Sequence, residues 1–399
     1  MISYKYKFYK SKKLKTFDYM MAEAAFVWNH ALALQKRFYA LSKTLGWKRS
    51  YISFYDMCHH FAKRITRTRL ASHTVREILM RQDNAFSMFF KKVKKRPPKF
   101  KRAKDFTSFA YDYCGYKLYG NELIITKISK RFKFALSRKW EGNIKWIRII
   151  RSNGDWYLIV DTDSVPNTYG KTHTGASIGI DFGLKTFMTL SDGTRIESPQ
   201  FYRHSMNEIK KWERLLSKAK KGSNHWYSYK RRLNQIYANL KNRRTDWFFK
   251  TAHALCKNYE FVFIEDLNMA GMMRRKGWGR KVCDLGWASF VSILEHISTK
   301  YGVTVHKIDR FYPSSRLCVC GYKNETLKLN DREWVCPSCG QIHDRDVNAA
   351  QNIYRRGIAE LGSFGKTISE CALVGTARYY PRIPQIAVGS MPRPSEEQN

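Results

Sequence analysis

Acidic residues are scarce in this 399-residue sequence, which has 33 Asp and Glu against 73 Lys and Arg and a formal net charge of +40. Self-repulsion at such a charge works against a compact fold. A large polyanion is therefore the expected partner, nucleic acid first and an anionic membrane surface as the lesser alternative. Hydrophobic residues make up 43% of the chain, so ordered cores are expected rather than a disordered basic tail.

Long hydrophobic runs are also missing. No stretch of 18 apolar residues occurs, so we expect no membrane-spanning helix. The first residues lack the apolar core of a secretory signal. Nine cysteines, an odd number, argue against a disulfide framework. These features together indicate a protein of the reducing cytoplasm that does not act in a membrane.

The N-terminal part is predicted to be mainly helical after one strand at residues 2–9. Proline and glycine are nearly absent from residues 16–92, where apolar side chains recur at helical spacing. The aromatic residues of this segment are interpreted as helix core rather than as a surface for stacking bases. They are Phe26, Trp28, Phe38, Tyr39, Trp47, Phe54, Phe61, Phe86, Phe89 and Phe90.

Residues 106–163 have the alternation and turns of β-structure. One hairpin is expected around Gly120-Asn121, and a second has its turn at Asn153-Gly154. Short strands joined by regular turns suggest a small barrel. The polar segment 164–175 is interpreted as a linker between domains.

Two segments concentrate positive charge. Residues 91–104 contain nine Lys or Arg and no acid, and residues 203–250 contain fourteen Lys or Arg against three acids. A phosphate backbone is the natural counter-charge for such runs, although residues 91–104 would also fit a solvated linker. The candidate nucleic-acid contacts are Lys91, Lys92, Lys94, Lys95, Arg96, Lys99, Lys101, Arg102, Lys230, Arg231, Arg232, Arg243 and Arg244.

After the linker, three strands are followed by alternating helices and strands, which is the layout of a ribonuclease-H-like sheet. The apolar runs Ser177–Ile180 and Phe261–Ile264 are typical of buried parallel strands, and each ends in an acid, Asp181 and Glu265. If the two strands are neighbours, these carboxylates meet at the carboxyl edge of the sheet.

Two carboxylates at one edge raise each other's pKa unless a cation lies between them. Two Mg²⁺ ions held there could activate a water and stabilise the leaving oxygen of a phosphodiester. A third acid is needed to hold both ions, and the helix start at 343–350 offers Asp344 or Asp346. By itself, Asp344 also fits a helix N-cap, and Asp192 before Gly193 fits a turn.

Four of the cysteines lie close together late in the chain. Cys336-Pro-Ser-Cys339-Gly340 has the spacing of a zinc knuckle, and Cys318-Val-Cys320 is its partner, one residue shorter than usual. Four thiolates would complete a tetrahedral structural Zn²⁺ site. A metal-free hairpin is the alternative.

Taken together, these residues resemble the TnpB family of insertion-sequence-encoded RNA-guided nucleases, which are related to type V CRISPR effectors. The motifs that carry the resemblance are GIDFGLKTFMTLSDG (179–193), FIEDLNMAGM (263–272), DLGWASF (284–290), YPSSRLCVCGYKN (312–324) and REWVCPSCGQIHDRDVNAAQNI (332–353). By this resemblance the three nuclease acids are Asp181, Glu265 and Asp346, which selects Asp346 over Asp344 and Glu265 over Asp266. The expected location is the prokaryotic cytosol or nucleoid.

The resemblance further implies a multidomain α+β architecture: a RuvC-like (RNase H-like) α/β nuclease with a zinc-ribbon insertion, a helical recognition lobe and a small β-barrel wedge domain. The expected bounds are 1–12 and 100–172 for the wedge, 13–99 for the helical lobe, 173–310 and 344–365 for the nuclease, 311–343 for the zinc ribbon, and 366–399 for a loosely ordered tail.

The expected function is RNA-guided cleavage of double-stranded DNA beside a short motif that the protein reads, with one protein per guide RNA. Two Mg²⁺ ions at the three acids and one structural Zn²⁺ at the cysteines are the expected cofactors. One alternative is an RNA-guided repressor that binds DNA with a weak or dead nuclease, which the short Cys318–Cys320 pair favours. Another is an unguided nuclease or transposase acting on DNA ends.

Overall fold

The computed structural model describes residues 2–62, 68–164, 176–268, 271–272, 284–328 and 331–363. It divides into two compact units, Met1–Pro166 and Asn167–Asn399, which are described separately. The tail expected at 366–399 and most of the expected linker lie outside the described residues. Within the described part of the chain, no helix has the length and apolar character needed to cross a membrane.

Three helices form the helical part of the first unit: α1 (Lys15–Thr44), α2 (Phe54–Ala62) and α3 (Ser72–Phe90). The continuous helical character expected over 16–92 is interrupted between α1 and α2, where Gly46 has a positive φ of 66°. Glycine adopts this left-handed conformation without strain, so the chain can turn away from the helix axis at this point. Residues 68–71, just before α3, are not helical either. The prediction of helices is therefore confirmed, with breaks after Thr44 and before Ser72.

The interpretation of the helical aromatics as core is wrong for four of them. Phe26, Tyr39, Trp47 and Phe90 are exposed, whereas Trp28 and Phe61 are fully buried and the remaining four are half-buried. A helix of 30 residues such as α1 has more surface than its partners cover, so periodicity locates the buried face and leaves the flanking aromatics in solvent.

Strands of the first unit form two antiparallel sheets. The four-stranded sheet has the order β1-β7-β6-β2, and the three-stranded sheet has the order β3-β4-β5. Both expected hairpins are present, β3–β4 and β6–β7. The bounds are β1 (Ile2–Lys7), β2 (Ser108–Tyr111), β3 (Tyr116–Tyr119), β4 (Glu122–Ile125), β5 (Lys130–Lys133), β6 (Ile144–Ser152) and β7 (Asp155–Thr162).

One apolar core joins the helices and sheets of this unit. The ring of Phe17 in α1 lies 4.3 Å from the Phe132 ring of β5 and 5.2 Å from the Trp156 ring of β7, measured between centroids. An isolated bridge between Phe8 and Phe134 links the two sheets beyond their ends. The segments predicted as a wedge and a helical lobe thus share buried side chains.

The second unit contains a five-stranded mixed sheet of order β10-β9-β8-β11-β12. β8, β11 and β12 are parallel to one another, and β9 and β10 are antiparallel to their neighbours. The elements are β8 (Ser177–Asp181), β9 (Thr186–Leu190), β10 (Arg195–Glu197), α4 (Phe201–Lys218), α5 (Asn224–Asn258), β11 (Phe261–Glu265), α6 (Trp287–Tyr301) and β12 (Thr304–Ile308).

Helices cover both faces of this sheet. Residues of α5 and α6 such as Phe248, Leu255 and Phe290 form the larger core on one face. A small hairpin, β13 (Glu333–Val335) with β14 (Ile342–Asp344), precedes the last helix α7 (Arg345–Ser363). Helix α7 packs on the other face, where Phe263 and Ile353 belong to a second core.

Two glycines let α7 approach the sheet closely. A Cβ at Gly179 of β8 would lie 2.3 Å from the carbonyl oxygen of Ala350, and a Cβ at Gly357 of α7 would lie 2.0 Å from the ring of Phe263. Both distances are below any real contact, so only glycine fits at these positions without moving the helix.

We expect Gly357→Ala to destabilise the second unit by about 1–3 kcal/mol because the added methyl overpacks the helix–sheet contact. The matched control is Gly362→Ala in the same helix, where a Cβ meets no atom within 4 Å and the better helix propensity of alanine favours folding. Chemical denaturation with a probe in this unit measures both. Equal loss in the two variants would contradict the packing argument.

Candidate active site and cysteine cluster

Strands β8 and β11 bring two carboxylates to one edge of the sheet. Ile180 is directly opposite Ile264 in the parallel register, so Asp181 and Glu265, the next residue of each strand, end side by side. Neighbouring strands lie about 4.8 Å apart. The sequence-based expectation that these two acids converge agrees with this geometry.

The third acid, Asp346, lies on the first turn of α7, the helix that packs on the other face of the sheet. Helix α7 lies against β8 through the close contact at Gly179, and Asp346 is the second residue of the helix. Asp344 caps the helix by accepting a hydrogen bond from the Val347 N–H at 2.9 Å, and its other oxygen pairs with Arg195 at 2.6 Å. The alternative of Asp344 as an N-cap therefore agrees with its contacts.

Glu265 and Asp346 both act electrostatically on Asp181. Burial raises the pKa of Asp181 to about 8, with further increases from the charges of Glu265 and Asp346, against which the charges of Arg345 and Arg332 act. Burial also raises the pKa of Glu265, whose Oε1 accepts a hydrogen bond from the Ser314 hydroxyl. Carboxyl groups with raised pKa values at a sheet edge are typical of a site that receives a cation.

Two of the acids hold partners within the chain. Arg332 Nη1 donates to both oxygens of Asp346, at 2.9 and 3.1 Å, and Ser314 occupies one oxygen of Glu265. Among the described residues, groups of at least three His, Cys, Asp or Glu ligand atoms within 4.8 Å of one another occur at two places, and the three acids are not one of them. A shared cation would require these side chains to turn toward each other.

Sequence reasoning did not single out Arg332, Ser314 or Arg345. Arg332 and Ser314 lie inside the motifs that carry the family resemblance, four residues before Cys336 and four residues before Cys318. The motif match is the signal that could have identified them, because neither residue is unusual in composition or periodicity.

The four cysteine sulfurs lie together, all within 4.8 Å of one another. Cys318 Sγ is 3.6 Å from Cys339 Sγ, and Cys320 Sγ is 3.6 Å from Cys336 Sγ. Tetrahedral ligands with Zn–S bonds of about 2.3 Å are separated by about 3.8 Å. The shortened Cys-x-Cys pair therefore closes onto its partner, and the cluster fits zinc.

Two glycines turn the backbone at the cysteine pairs, and the surroundings of the sulfurs shift the pKa values of their thiols. Gly321 and Gly340 follow the second cysteine of each pair with positive φ of 91° and 74°, the conformation that turns the chain back at each pair. Hydrogen bonding from the Tyr322 N–H lowers the pKa of Cys320 to about 6, while burial raises the pKa of Cys318 to about 12. Burial therefore disfavours the thiolate form of Cys318, and a bound cation would stabilise that form.

Two ring side chains, His343 and Trp334, lie beside the cluster, and the sequence pattern did not predict this contact. His343 Nε2 lies 3.0 Å from Cys318 Sγ, and the His343 ring stacks on Trp334 with centroids 4.5 Å apart. If Cys318 binds a metal, the contact with His343 would orient its sulfur.

The candidate nucleic-acid contacts differ in whether their charged groups already contact other residues of the chain. Lys91, Lys92, Lys94, Lys95, Arg96, Lys99 and Arg231 are exposed. Lys230 is exposed too, but its ammonium lies over the Trp226 ring, 4.7 Å from the centroid. The ammonium of Lys101 lies over the Trp28 ring at 3.8 Å, Arg102 pairs with Asp105, Arg232 pairs with Glu208, and Arg243 lies over the ring of Phe201. Arg244 donates to the carbonyl of Asp284.

We expect Asp181→Asn to flatten the pH dependence of stability in Mg²⁺-free protein. Because the folded pKa of about 8 exceeds the usual value of 3.8, the folded state binds this proton more tightly, and stability is lost as pH rises between these values. The drop in unfolding free energy from about pH 5 to about pH 8 should be at least about 1 kcal/mol smaller in the variant. Asp192→Asn, at a turn, is the control and should keep the wild-type drop.

Two family models match the chain. The "Probable transposase" model covers residues 161–276, which include Asp181 and Glu265, and the "Cas12f1-like, TNB domain" model covers residues 287–353, which include the four cysteines and Asp346. The two matched segments therefore span every residue of the candidate active site and the cysteine cluster.

Relatives and solved structures agree with these matches. A protein of Streptomyces pristinaespiralis, provisionally named an RNA-guided DNA endonuclease, is 31% identical over 73% of each chain. InsQ of Escherichia coli, with the same provisional name, is 28% identical over 84% of this chain and 87% of its own. The cryo-EM structure of a Cas12f1–sgRNA–target DNA complex has a similar fold, with a TM-score of 0.55 at 14% identity over 86% and 83% of the two chains. The chain thus belongs to the TnpB family.

Proposed function

We propose that the protein is an RNA-guided DNA endonuclease in which Asp181, Glu265 and Asp346 form one Mg²⁺-dependent active site. The observation that carries the proposal is the parallel register of β8 and β11, which ends Asp181 and Glu265 side by side at the carboxyl edge of the sheet. The pKa of Asp181, raised by burial and by the charges of Glu265 and Asp346, supports it. The names of the two family relatives support RNA guidance and DNA as substrate. The strand order β10-β9-β8-β11-β12 supports a RuvC-like nuclease domain.

The donor set fits hard divalent cations because it consists of carboxylate oxygens alone. Bound there, two Mg²⁺ ions would supply a water of lowered pKa and stabilise the leaving oxygen. The protein's own part is to hold the three carboxylates on a rigid sheet edge and a packed helix. Arg332, which now pairs with Asp346, would be displaced from that carboxylate when cations bind.

The exposed lysines and arginines at 91–99 and 230–231 are proposed to contact the phosphate backbones of guide RNA and target DNA. One protein per guide RNA, a wedge-type β-barrel formed by 1–12 and 100–172, a recognition lobe at 13–99, and a prokaryotic cytoplasmic location are part of the same proposal. Base pairing with the guide would read most of the target sequence.

We expect Asp181→Ala, Glu265→Ala and Asp346→Ala each to lower plasmid cleavage by about a hundredfold or more while guide-RNA binding is retained, because each removes a cation ligand. The assay uses protein with its co-purified RNA, Mg²⁺ and a plasmid carrying the matching target. Asp192→Asn is the matched carboxylate control and should cut like the wild type. Wild-type cleavage by Asp181→Ala would overturn the assignment.

Sequencing the RNA that co-purifies with the protein tests guidance separately. A discrete RNA species whose end matches the plasmid target is expected. Specific cutting by protein freed of RNA would instead favour an unguided nuclease.

One observation favours the second candidate, an RNA-guided DNA-binding repressor. The ion pair of Arg332 with Asp346 neutralises the third carboxylate. In the same assay a repressor would bind the target tightly and leave it intact at every Mg²⁺ concentration. The shortened cysteine pair no longer favours this candidate, because its sulfurs close onto those of the other pair.

We propose that the four cysteines bind one structural Zn²⁺ that orders the segment 311–343. Cys336→Ser should lower the bound zinc by one equivalent and expose this segment to limited proteolysis, because a structural zinc supplies folding free energy. Zinc content is measured by elemental analysis of the purified chain. Cys58→Ser, outside the cluster, is the control, and an unchanged zinc content in Cys336→Ser would contradict the proposal.

A further inference from the structure

A second group of metal-type ligands lies in the first unit, which contains neither the three acids nor the four clustered cysteines. A ring nitrogen of His73, a carboxylate oxygen of Asp112 and the sulfur of Cys114 all lie within 4.8 Å of one another. His73 Nδ1 is 2.8 Å from Asp112 Oδ2. His73 is on the first turn of α3, whereas Asp112 and Cys114 belong to the turn between β2 and β3.

Buried contacts fix these two elements against each other. The hydroxyl of Thr74, next to His73, donates to the carbonyl of Ala110 at 2.9 Å, and both residues are buried. The start of α3 is thus tied to the strand that ends one residue before Asp112. Side chains attached to a fixed frame lose little freedom when they bind a ligand together.

The turn that carries Asp112 and Cys114 is equally constrained. A Cβ at Gly115 would lie 2.6 Å from the ring of the fully buried Tyr111, so the chain turns tightly over that ring. The Gly115 N–H donates to the Asp112 carbonyl at 3.1 Å, and the Cys114 N–H donates to Asp112 Oδ1 at 3.3 Å. These contacts hold the carboxylate and the thiol on one side of the turn.

We propose that His73, Asp112 and Cys114 bind one Zn²⁺ ion, with water at a fourth position. Imidazole nitrogen, carboxylate oxygen and thiolate sulfur are the three donor types zinc accepts, and a thiolate disfavours Mg²⁺ and Ca²⁺. With zinc bonds of about 2.0–2.3 Å, tetrahedral ligand atoms lie about 3.3–3.6 Å apart. The observed 2.8 Å between His73 and Asp112 needs only a small opening.

Binding would release the thiol proton of Cys114 to solvent and replace the histidine–aspartate pair by two metal bonds. The cysteine is exposed, so zinc can enter from solvent without unfolding the unit. The bound ion would join the start of α3 to the β2–β3 turn. This site is independent of the nuclease proposal, since none of its residues belongs to the three acids or to the four-cysteine cluster.

Zinc stoichiometry of the full chain tests the site. The protein is titrated with Zn²⁺ against a chromophoric chelator, with excess Mg²⁺ present to occupy carboxylate sites. Wild type should bind one equivalent more than His73→Ala and one more than Cys114→Ser, whereas Cys58→Ser, the second cysteine of this unit, should bind as wild type does. Equal stoichiometry in wild type, His73→Ala and Cys114→Ser would overturn the proposal.

A second measurement needs no variant that could misfold. The rate at which iodoacetamide modifies Cys114 in wild-type protein is followed by peptide mass spectrometry with and without added Zn²⁺. Coordination of the thiolate should slow modification of Cys114 at least about tenfold, because the metal holds the nucleophilic lone pair. The rate at Cys58 provides the internal reference. An unchanged Cys114 rate would refute zinc binding at this site.

Discussion

Helix α7 lies on strand β8 at a separation that a side chain larger than glycine would prevent, and the position of Asp346 follows from that contact. A Cβ at Gly179 would strike the backbone of Ala350, one turn beyond Asp346. Because the helix cannot slide along the strand without losing this fit, its first turn stays beside the carboxyl ends of β8 and β11. The same contact determines where the cysteine-bearing segment ends, since β14 leads directly into α7.

Three acids at one edge carry an energetic cost, which the structure offsets only in part. The raised pKa of Asp181 records that cost, because a buried carboxyl near two others resists ionisation. Arg332 and Arg345 reduce it with positive charge, and Ser314 donates a hydrogen bond to Glu265. A site arranged in this way gains free energy when cations arrive, because attraction replaces repulsion between fixed groups.

The sequence predicts those parts of the fold that depend on local pattern. β8 and β11 are short apolar runs ended by acids, and the cysteine pairs have recognisable spacing, so the sheet edge and the cluster could be expected before the structure. The partners of these groups could not. Arg332 meets Asp346 because the β13–β14 hairpin pairs Glu333 with Asp344 and so brings the residues flanking the two strands together. No periodicity in the sequence encodes that register.

Tertiary packing explains the remaining differences. Phe26 and Phe90 follow the helical spacing of core residues, yet they are exposed because none of the described elements buries that side of their helices. His73 and Asp112 meet only because α3 packs on β2. The sequence of neither segment predicts that contact. The segments expected as separate wedge and helical domains share one core, which composition could not reveal because both segments are equally apolar.

Helix α5 has 35 residues and is therefore about 52 Å long. Its C-terminal part is anchored in the core of the sheet by Phe248, Ala252 and Leu255, whereas Leu233 and Ile236 nearer its start pack with α4 in a small core of their own. A rigid rod fixed at one end acts as a lever. A tilt of about 5° at the anchored end would move the N-terminal end of α5 by roughly 4 Å. A small change beside the sheet would therefore produce a larger displacement of α4 and of the part of α5 that packs on it.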